Sequence, residues 1–486
     1  MKKQLLSAIL IALILAQVSC GSQPSVTDNE TTTSTETTTT KTETSRIEPE
    51  LPDKKWEGYE FRVLTKGTSN VHWKSKDIAA EEENGDTIND AVFKRNLAVT
   101  DRFGVTFVDI ASSNGTWNLS TQAQTSILAG SDDYDMIAGS FTDAVRKLAP
   151  EGLLVDLNTM PYMDLSHPWY DQNSMESLSI GGKTFAVTGD MLIMDKEATN
   201  AVLFNKKMTD EYKLGNFYEM VENGTWTIDV LEKCARAVAS DLNNDGSMDK
   251  EDQYGLVTSN VESYFLMVGC GVRPVELDSN DLPTLNLKSE KLYDAIERAI
   301  KFNNDFDIAI SGSKYSEDWE GTLDPAFSSG RALFYVGGLN RVTLFRGMEI
   351  DFGIVPMPKS DEIQDEYYSM VSVSCSDAII IPKSATDLER TGAIIEALSA
   401  EGYYTLKPAY YDTVLKGKAV RDDESSAMLD IIFGNRVYDL MFMYDWGGMT
   451  SQLYNSDGNV ASIIASKFDA TKTAMENTIA AYQNLD

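Results

Sequence analysis

Histidine and cysteine, the residue types behind many metal sites and nucleophilic mechanisms, are scarce in this sequence. Its 486 residues include two histidines and four cysteines. Neither histidine lies in an H-E-x-x-H motif and no two cysteines form a C-x-x-C pair, which argues against zinc and iron–sulfur sites. A G-x-S-x-G nucleophile elbow and a P-loop are also absent. Catalytic signatures are therefore few.

Basic residues are outnumbered by acidic ones. The sequence has 42 lysines and arginines against 75 aspartates and glutamates, a formal net charge of −33. Phosphate binding needs clustered positive side chains, so this balance argues against nucleic acid as a partner. It also argues against lying flat on an anionic membrane. Hydrophobic residues make up 42% of the chain, which is ample for the cores of two domains.

An apolar run at residues 5–15 is shorter than the ~20 residues of a membrane-spanning helix, so it does not predict a span. Lys2 and Lys3 precede the run, and Val18 and Ser19 follow it. Positive charge, a short apolar core and a small residue before a cleavage point are typical of a secretory signal peptide. The sequence therefore predicts a signal peptide over residues 1–19.

Cys20 follows this segment directly and resembles the lipobox cysteine of bacterial lipoproteins. That family lipidates the cysteine, which becomes the first residue of the mature chain. The family favours leucine three residues earlier, where this sequence has Gln17; the alternative is a plain secretory signal with an incidental cysteine. Residues 20–55 are dominated by threonine, serine and glutamate and predict a disordered stalk. The resemblance implies a domain held at the extracytoplasmic face of the cell membrane by its lipid alone.

The folded part begins with a pattern typical of an α/β protein. Residues 59–64 alternate as a strand, Asp86 can cap a helix that ends at Gly104, and residues 105–108 form a second strand. A strand, a helix and a strand in this order predict a parallel pair. Ligands bind beyond the carboxyl ends of such strands. This places Thr65 and Gly67, after the first strand, and Ser140, after another short strand, in a predicted cleft.

Residues 241–252 (DLNNDGSMDKED) match the twelve-residue calcium loop of EF-hands. Oxygen side chains occupy positions one, three, five, nine and twelve, position seven adds a carbonyl, and Gly246 permits the sharp turn. The sequence therefore predicts a structural Ca²⁺ site, and the alternative is an Asx-rich turn that holds only water. The predicted ligands are Asp241, Asn243, Asp245, Ser247, Asp249 and Asp252.

Four tryptophans lie in polar or glycine-containing connections instead of apolar stripes. They are Trp73, Trp169, Trp319 and Trp446, and the last two each follow an aspartate. Proteins hold sugars in this way, because the ring face packs on C–H groups while acidic and amide side chains bind the hydroxyls. The alternative is that each ring seals an edge of the core.

From residue 60 onwards, the order of features resembles the extracellular solute-binding proteins of bacterial ABC importers, particularly the sugar-binding group. No single motif is specific to the family, and the resemblance rests on the order of the motifs along the chain. They are residues 86–103, 133–137 (DYDMI), 154–157 (LVDL), 205–207 (NKK), 223–227 (NGTWT), 327–334 (FSSGRALF), 352–358 (FGIVPMP) and 379–382 (IIIP).

The resemblance implies a two-lobed periplasmic-binding-protein-like α/β fold with a hinge and an interlobe ligand cleft. Lobe I would hold residues 56–165 and 350–406, and lobe II residues 166–349 and 407–486. Sugar-binding relatives carry a binding aromatic just after the position of Leu333, which implies Tyr335, Gly337 and Gly338 as ligand-binding residues. Asp190 completes the set of candidates.

We therefore expect a monomeric receptor without catalytic residues. It would capture an extracellular carbohydrate or similar neutral solute by lobe closure and deliver it to the transmembrane subunits of an ABC permease. Two alternatives remain open. Acidic and aromatic residues would also suit a secreted glycoside hydrolase, and a cell-surface adhesion or signalling module is the third interpretation.

Overall fold

Two β-sheets with flanking helices form the framework of the part of the chain that the structure describes. This structure is a computed structural model, and it describes residues 46–70, 72–415 and 423–485. The predicted signal peptide, Cys20 and most of the predicted stalk lie outside the described residues. Residues 48–486 form one unit.

Thirteen strands occur within the described residues. They are β1 Glu60–Thr65, β2 Thr106–Ala111, β3 Met136–Ser140, β4 Asn200–Asn205, β5 Tyr254–Thr258, β6 Val275–Leu277, β7 Pro283–Leu285, β8 Ala309–Ser311, β9 Ala332–Gly338, β10 Phe352–Val355, β11 Ser369–Met370, β12 Asp377–Ile380 and β13 Arg436–Val437.

The first sheet has the order β12-β3-β1-β2. Strand β1 is parallel to both β2 and β3, which confirms the predicted β-α-β unit. Strand β12 is antiparallel to β3, with Asp377 opposite Ser140. The carboxyl ends of β1 and β3 and the start of β12 therefore lie at one edge of this sheet.

The second sheet has the order β10-β4-β9-β5-β8. Strands β9, β5 and β8 are parallel, whereas β4 is antiparallel to both β9 and β10. The register places Asn200, the first residue of β4, opposite Gly338, the last residue of β9. The loops that leave β9, β5 and β8 consequently emerge at the edge where β4 begins.

The helices cover both sheets. They are α1 Thr87–Phe103, α2 Leu119–Leu128, α3 Arg146–Leu148, α4 Gln172–Leu178, α5 Met194–Glu197, α6 Lys206–Glu211, α7 Phe217–Glu222, α8 Ile228–Val238, α9 Asn260–Gly269, α10 Glu290–Asn303, α11 Gly312–Tyr315, α12 Asp324–Ser328, α13 Asn340–Phe345, α14 Leu388–Tyr404, α15 Leu406–Leu415, α16 Asp423–Gly434, α17 Leu440–Tyr444, α18 Met449–Tyr454 and α19 Val460–Gln483. Short π or 3₁₀ turns lie at Phe141–Val145, Leu157–Thr159, Trp319–Leu323 and Trp446–Gly448.

Helix α1 begins and ends where the sequence predicts. The Asp86 carboxylate accepts hydrogen bonds from the N–H groups of Ile88 and Asn89, both at 3.0 Å. Such a cap stabilises a helix by about 1 kcal/mol. Gly104 ends the helix with a φ of 73°, a left-handed conformation that suits glycine.

The apolar face of α1 contributes to two separate cores. Val99 is buried with Phe61 of β1 among the side chains of the first sheet. Val92, two turns earlier, is buried with Phe327 and Leu203 among the side chains of the second sheet. One helix thus packs against both halves of the fold.

The chain crosses between the sheets at positions that differ from the predicted lobe boundaries. Strand β10 was expected in lobe I, but it pairs with β4 in the second sheet. Trp169 and Val187 were expected in lobe II, but both are buried in the core of the first sheet. The reason is that short apolar runs such as β10 fit either sheet, and only strand pairing decides between them.

The folded unit also begins earlier than the predicted end of the stalk at residue 55. Leu51 packs against the core of the first sheet, and the unit starts at Glu48. None of the described helices is long and apolar enough to cross a membrane.

Candidate ligand-binding cleft

A cavity of about 180 Å³ lies where loops from both sheets meet. The second sheet contributes Asn200 and the segments that follow β5, β8 and β9. The first sheet contributes the segment after β1 and the loop before β12. The lining comprises His72, Trp73, Asn200, Ser259, Val261, Glu262, Phe265, Glu317, Trp319, Tyr335, Gly337, Gly338, Asn340, Arg341, Ser372, Ser374 and Cys375. This position, beyond the carboxyl ends of parallel strands, is the usual ligand site of an α/β sheet.

A second cavity of about 180 Å³ adjoins the first and continues the cleft. The two cavities share His72, Asn340 and Arg341. The second also reaches Lys76 and Glu197, which form an ion pair at 2.6 Å. We name the two cavities together the cleft.

Gly338 allows the two halves of the cleft to approach each other closely. A Cβ atom at this position would lie 2.8 Å from the carbonyl oxygen of Glu197 and 3.1 Å from Cη2 of Trp73. Contacts this short leave no room for a side chain. The Trp73 ring, which belongs to the segment after β1, therefore stands against the end of β9 in the other sheet.

Arg341 is held in a buried hydrogen-bonded group with Tyr335 and Asp324. Its Nε donates to the Tyr335 hydroxyl at 2.6 Å, and that hydroxyl donates to Asp324 Oδ1 at 2.7 Å. Arg341 Nε also lies 3.2 Å from Asp324 Oδ1. The guanidinium sits 5.0 Å from the centre of the Trp319 ring, a favourable cation–π distance. The orientation of Trp319 is thus tied to that of Arg341.

Several polar atoms in the cleft have no hydrogen-bond partner among the described residues. They are Nε2 of His72, Oδ1 of Asn340 and Nη1 of Arg341. Burial and the nearby Arg341 lower the pKa of His72 to about 4, so its ring is neutral at pH 7. Because buried polar groups are normally hydrogen-bonded, these atoms are suited to bind a polar ligand.

Glu262 is the most buried acidic side chain of the first cavity. It lies in the first turn of α9, is 6% exposed, and accepts a short hydrogen bond from the Ser259 hydroxyl. Desolvation, with a smaller contribution from Glu317, raises the pKa of Glu262 to about 7. Glu317 lies at the mouth of the cavity, and partial burial raises the pKa of its carboxyl as well.

The structure brings half of the predicted ligand-binding residues together. Trp73, Trp319, Tyr335, Gly337 and Gly338 all line the first cavity. The end of the strand with two glycines, and two of the tryptophans in polar connections, therefore lie at this cavity.

Three of the remaining candidates have structural roles at the edge of the first sheet and do not line the cleft. Thr65 Oγ1 donates to Asp109 at 2.6 Å. Gly67 has a φ of 73°, and a Cβ atom there would lie 2.9 Å from the Cβ of Ala111. Ser140 caps the π turn that follows β3. They lie at the predicted strand ends, but their side chains stabilise local turns.

Asp190 and Trp446 also lie outside the cleft. Asp190 is buried and pairs with Lys196 at 3.0 Å and Lys407 at 3.3 Å. Trp446 is 3% exposed, stacks on Tyr444 with ring centres 4.9 Å apart, and donates through Nε1 to Thr478. The alternative, that this tryptophan seals a core, is the one that the structure supports.

Sequence reasoning missed several residues of the cleft, including His72, Glu262 and Arg341. Glu262 is one of 75 acidic residues, and no local motif sets it apart. Arg341 had a usable signal, because it follows the strand that ends in two glycines by three residues.

The predicted calcium loop forms a turn that is closed by hydrogen bonds from its own backbone. Asp241 accepts from Gly246 N and Asp252 from Leu242 N, both at 2.8 Å. Strand β5 follows the loop, so it is not part of a helix–loop–helix pair. The described residues contain no group of three or more His, Cys, Asp or Glu side chains placed to hold a metal ion. The Ca²⁺ site therefore stays a prediction.

Three larger grooves, of about 420, 430 and 400 Å³, open on the surface beside Lys206, Arg273 and Arg298. None of them lies at the carboxyl ends of the parallel strands of the two main sheets. The smaller cleft combines aromatic rings with unpartnered polar atoms, which is the usual character of a ligand site. We therefore assign the cleft as the candidate site.

The family model for bacterial extracellular solute-binding proteins matches residues 98–405. The chain belongs to this family. The resemblance inferred from the sequence is confirmed, and the family is one of binding proteins. No curated protein sequence matches the chain.

Solved structures of similar fold cover most of the chain. An ABC substrate-binding protein from Listeria monocytogenes in complex with cycloalternan is 15% identical, covers 88% of this chain and 100% of its own, and has a TM-score of 0.54. A cyclo/maltodextrin-binding protein complexed with maltotetraose is 15% identical, covers 88% of this chain and 97% of its own, and has a TM-score of 0.53. The GacH receptor of Streptomyces glaucescens, solved unliganded and with acarbose, is 15% identical, covers 88% of this chain and 100% of its own, and has a TM-score of 0.54. The predicted two-lobed fold is confirmed by these structures.

We expect Glu262→Gln to change how the free energy of unfolding depends on pH. The pKa of Glu262 is about 7 in the folded chain against an ordinary value of 4.5. The folded state therefore holds the proton more tightly, and the wild type loses stability as pH rises from about 4.5 through 7. The glutamine variant should lack this loss and exceed the wild type at pH 8 by on the order of 2 kcal/mol. Denaturant titrations at pH 5 and pH 8 measure the difference.

The matched control is Glu362→Gln, which removes one negative charge from an exposed loop. Its stability difference from the wild type should be the same at both pH values. Equal pH profiles for Glu262→Gln and the wild type would show that the Glu262 carboxyl is not desolvated.

Proposed function

We propose that this protein is the substrate-binding receptor of a bacterial ABC importer for an extracellular oligosaccharide or similar neutral polar solute. The observation that carries the proposal is the cleft, where Trp73 and Trp319 lie beside buried polar atoms without partners. Ring faces suit the C–H surface of a sugar, and the polar atoms suit its hydroxyl groups. The protein would act as a monomer.

The comparisons support a carbohydrate as the solute. The solved relatives are described in complex with cycloalternan, maltotetraose and acarbose. Transport would follow from lobe closure, because a ligand that contacts both halves of the cleft favours the closed form that a permease recognises.

Binding without turnover is the favoured activity. The family and the solved relatives are binding proteins. The one cysteine in the cleft, Cys375, has a thiol whose pKa is raised by burial, so it is not an activated nucleophile. A receptor should leave a bound oligosaccharide intact during prolonged incubation, whereas a secreted hydrolase would release shorter products.

We expect one class of oligosaccharide to raise the melting temperature of the purified domain. Ligand that binds only the folded state stabilises it by about 2.7 kcal/mol at a hundred times its Kd. A thermal-shift screen with maltotriose, cellotriose, xylotriose and mannotriose measures this. Trp319→Ala removes the ring that faces the cavity and should weaken binding of the active sugar about tenfold or more.

Trp117→Ala is the matched control, since Trp117 is 49% exposed and does not line the cleft. This variant should bind the sugar as the wild type does. Sugar binding in the cleft would be contradicted if no sugar of the screen shifted the melting temperature. It would also be contradicted if Trp319→Ala and Trp117→Ala lost the same amount of sugar affinity.

Calcium binding in the loop 241–252 is a further part of the proposal. Asn244 and Gly246 have positive φ angles of 58° and 86°, which wind the loop tightly around its first and last aspartates. A carboxylate has about four lone-pair sites, so a side chain that accepts one N–H can still bind a cation. Hard oxygen ligands of this kind suit Ca²⁺.

Chelation should lower the melting temperature of the wild type by several degrees, because Ca²⁺ stabilises only the folded loop. Asp245→Ala should melt at the same temperature with and without EDTA. Asp278→Ala, in another exposed turn with similar backbone hydrogen bonds, should keep the response to EDTA. A wild type that is indifferent to EDTA would exclude the metal.

Lipid attachment at Cys20 completes the proposal, although this residue lies outside the described part of the chain. An anchor would keep the receptor close to its permease. We expect Cys20→Ala to move the protein from the membrane fraction to the medium, while Ser22→Ala leaves it in place. Membrane retention of the cysteine variant would favour a different means of attachment.

A further inference from the structure

Glu262 is a buried acidic residue with no cation bonded to it, whereas several other buried carboxylates are ion-paired. Asp195 pairs with Lys196 at 3.2 Å, Asp324 with Arg341 at 3.2 Å, and Asp377 with Lys66 at 3.0 Å. Glu262 forms no ion pair with any residue that the structure describes, and its hydrogen bond comes from the neutral Ser259 hydroxyl. A buried carboxylate without a counter-charge is costly, because desolvation penalises the ionised form.

The charged surroundings of Glu262 leave an excess of negative charge in the first cavity. Glu317 raises the pKa of Glu262, while Arg341 lowers it by a smaller amount. Arg341 is already neutralised by Asp324. The other titratable groups of the first cavity are the neutral His72, the thiol of Cys375, whose pKa is raised by burial, and the phenol of Tyr335, whose pKa burial also raises. Within the lining of this cavity the two carboxylates therefore meet no unpaired lysine or arginine, while Lys74 and Lys76 line the adjoining cavity.

Unpartnered polar atoms show independently that this cavity is built to take a ligand. Arg341 is 5% exposed and Asn340 is 8% exposed, and each has a polar atom without a partner among the described residues. Both residues line the cavity that holds Glu262. Arg341 Nη1 can donate a hydrogen bond and Asn340 Oδ1 can accept one, so a ligand with hydroxyl groups satisfies both.

We propose that the cleft selects a sugar that carries an ammonium group, an amino sugar or an oligosaccharide that contains one, and that Glu262 and Glu317 bind this group. This inference rests on the proposed function and narrows its substrate class. The strand order places Arg341 on one side of the two carboxylates. Arg341 follows β9, whereas Glu262 follows the next strand, β5, and Glu317 follows α11 at the end of β8. One end of the ligand would meet hydrogen-bond donors and the other end the two carboxylates.

An ammonium group fits this end of the cleft better than a hydroxyl group does. It supplies the missing positive charge and three N–H donors, and charge-assisted hydrogen bonds are about twice as strong as neutral ones. A neutral sugar would instead be bound most favourably by the protonated Glu262, which then donates a hydrogen bond. The two ligand types thus shift the protonation of Glu262 in opposite directions.

Calorimetry with matched pairs of sugars tests the proposal. The pairs are glucosamine and glucose, galactosamine and galactose, and the trimer of β-1,4-linked glucosamine and cellotriose, which differ only in having an ammonium or a hydroxyl group at carbon 2. We expect at least one amino sugar to bind ten times more tightly than its partner at pH 7. Titrations of glucosamine and galactosamine at pH 6, where their amines are protonated, in buffers of different ionisation enthalpy should show proton release, since the pKa of Glu262 in the ligand-free protein is about 7.

Glu262→Gln should remove both the preference for the amino sugar and the proton release. Glu362→Gln, on an exposed loop, should keep both, and thermal melts confirm that each variant is folded. Equal affinities within each pair, or proton uptake with the amino sugar, would overturn the ammonium site and leave the sugar receptor standing. If no member of the pairs and no sugar of the wider thermal-shift screen binds, both the amino-sugar site and the proposed function are wrong.

Discussion

The buried ion pair of Arg341 with Asp324, closed by the Tyr335 hydroxyl, is the interaction on which the cleft depends. Asp324 begins α12, Tyr335 lies within β9 and Arg341 lies in α13. Three elements are thus fixed relative to one another by buried hydrogen bonds. Removal of Asp324 would leave the buried charge of Arg341 without its partner, a loss of several kcal/mol. The position of the Trp319 ring follows from this group.

The chemistry of the cleft agrees with the charge of the whole protein. A net charge of −33 attracts cations from a distance and repels anions. A basic residue buried in the cleft could have reversed this preference locally, but Arg341 is already paired with Asp324. The electrostatic field of the whole protein and the carboxylates of the cleft therefore both favour a positively charged solute.

Much of the fold could be predicted because its signals are local. The α1 cap at Asp86 and the glycine after it depend on neighbouring residues alone, and they were predicted correctly. The assignment of β10 to a sheet depends on a partner about 150 positions away, so the sequence could not decide it. Trp319 and Trp446 follow the same Asp-Trp pattern, yet one ring faces the cleft and the other stacks on Tyr444. The role of Glu262 depends on the absence of a neighbouring cation, which no sequence pattern records.

The contact between Trp73 and Gly338 has a consequence for the study of motion. Trp73 follows β1 of the first sheet and Gly338 ends β9 of the second, so the indole meets the opposite half of the fold across the cleft. Any separation of the two halves must move this ring from a packed site towards water, and indole emission shifts to longer wavelength in water. The chain therefore carries an intrinsic fluorophore at a contact between its two halves.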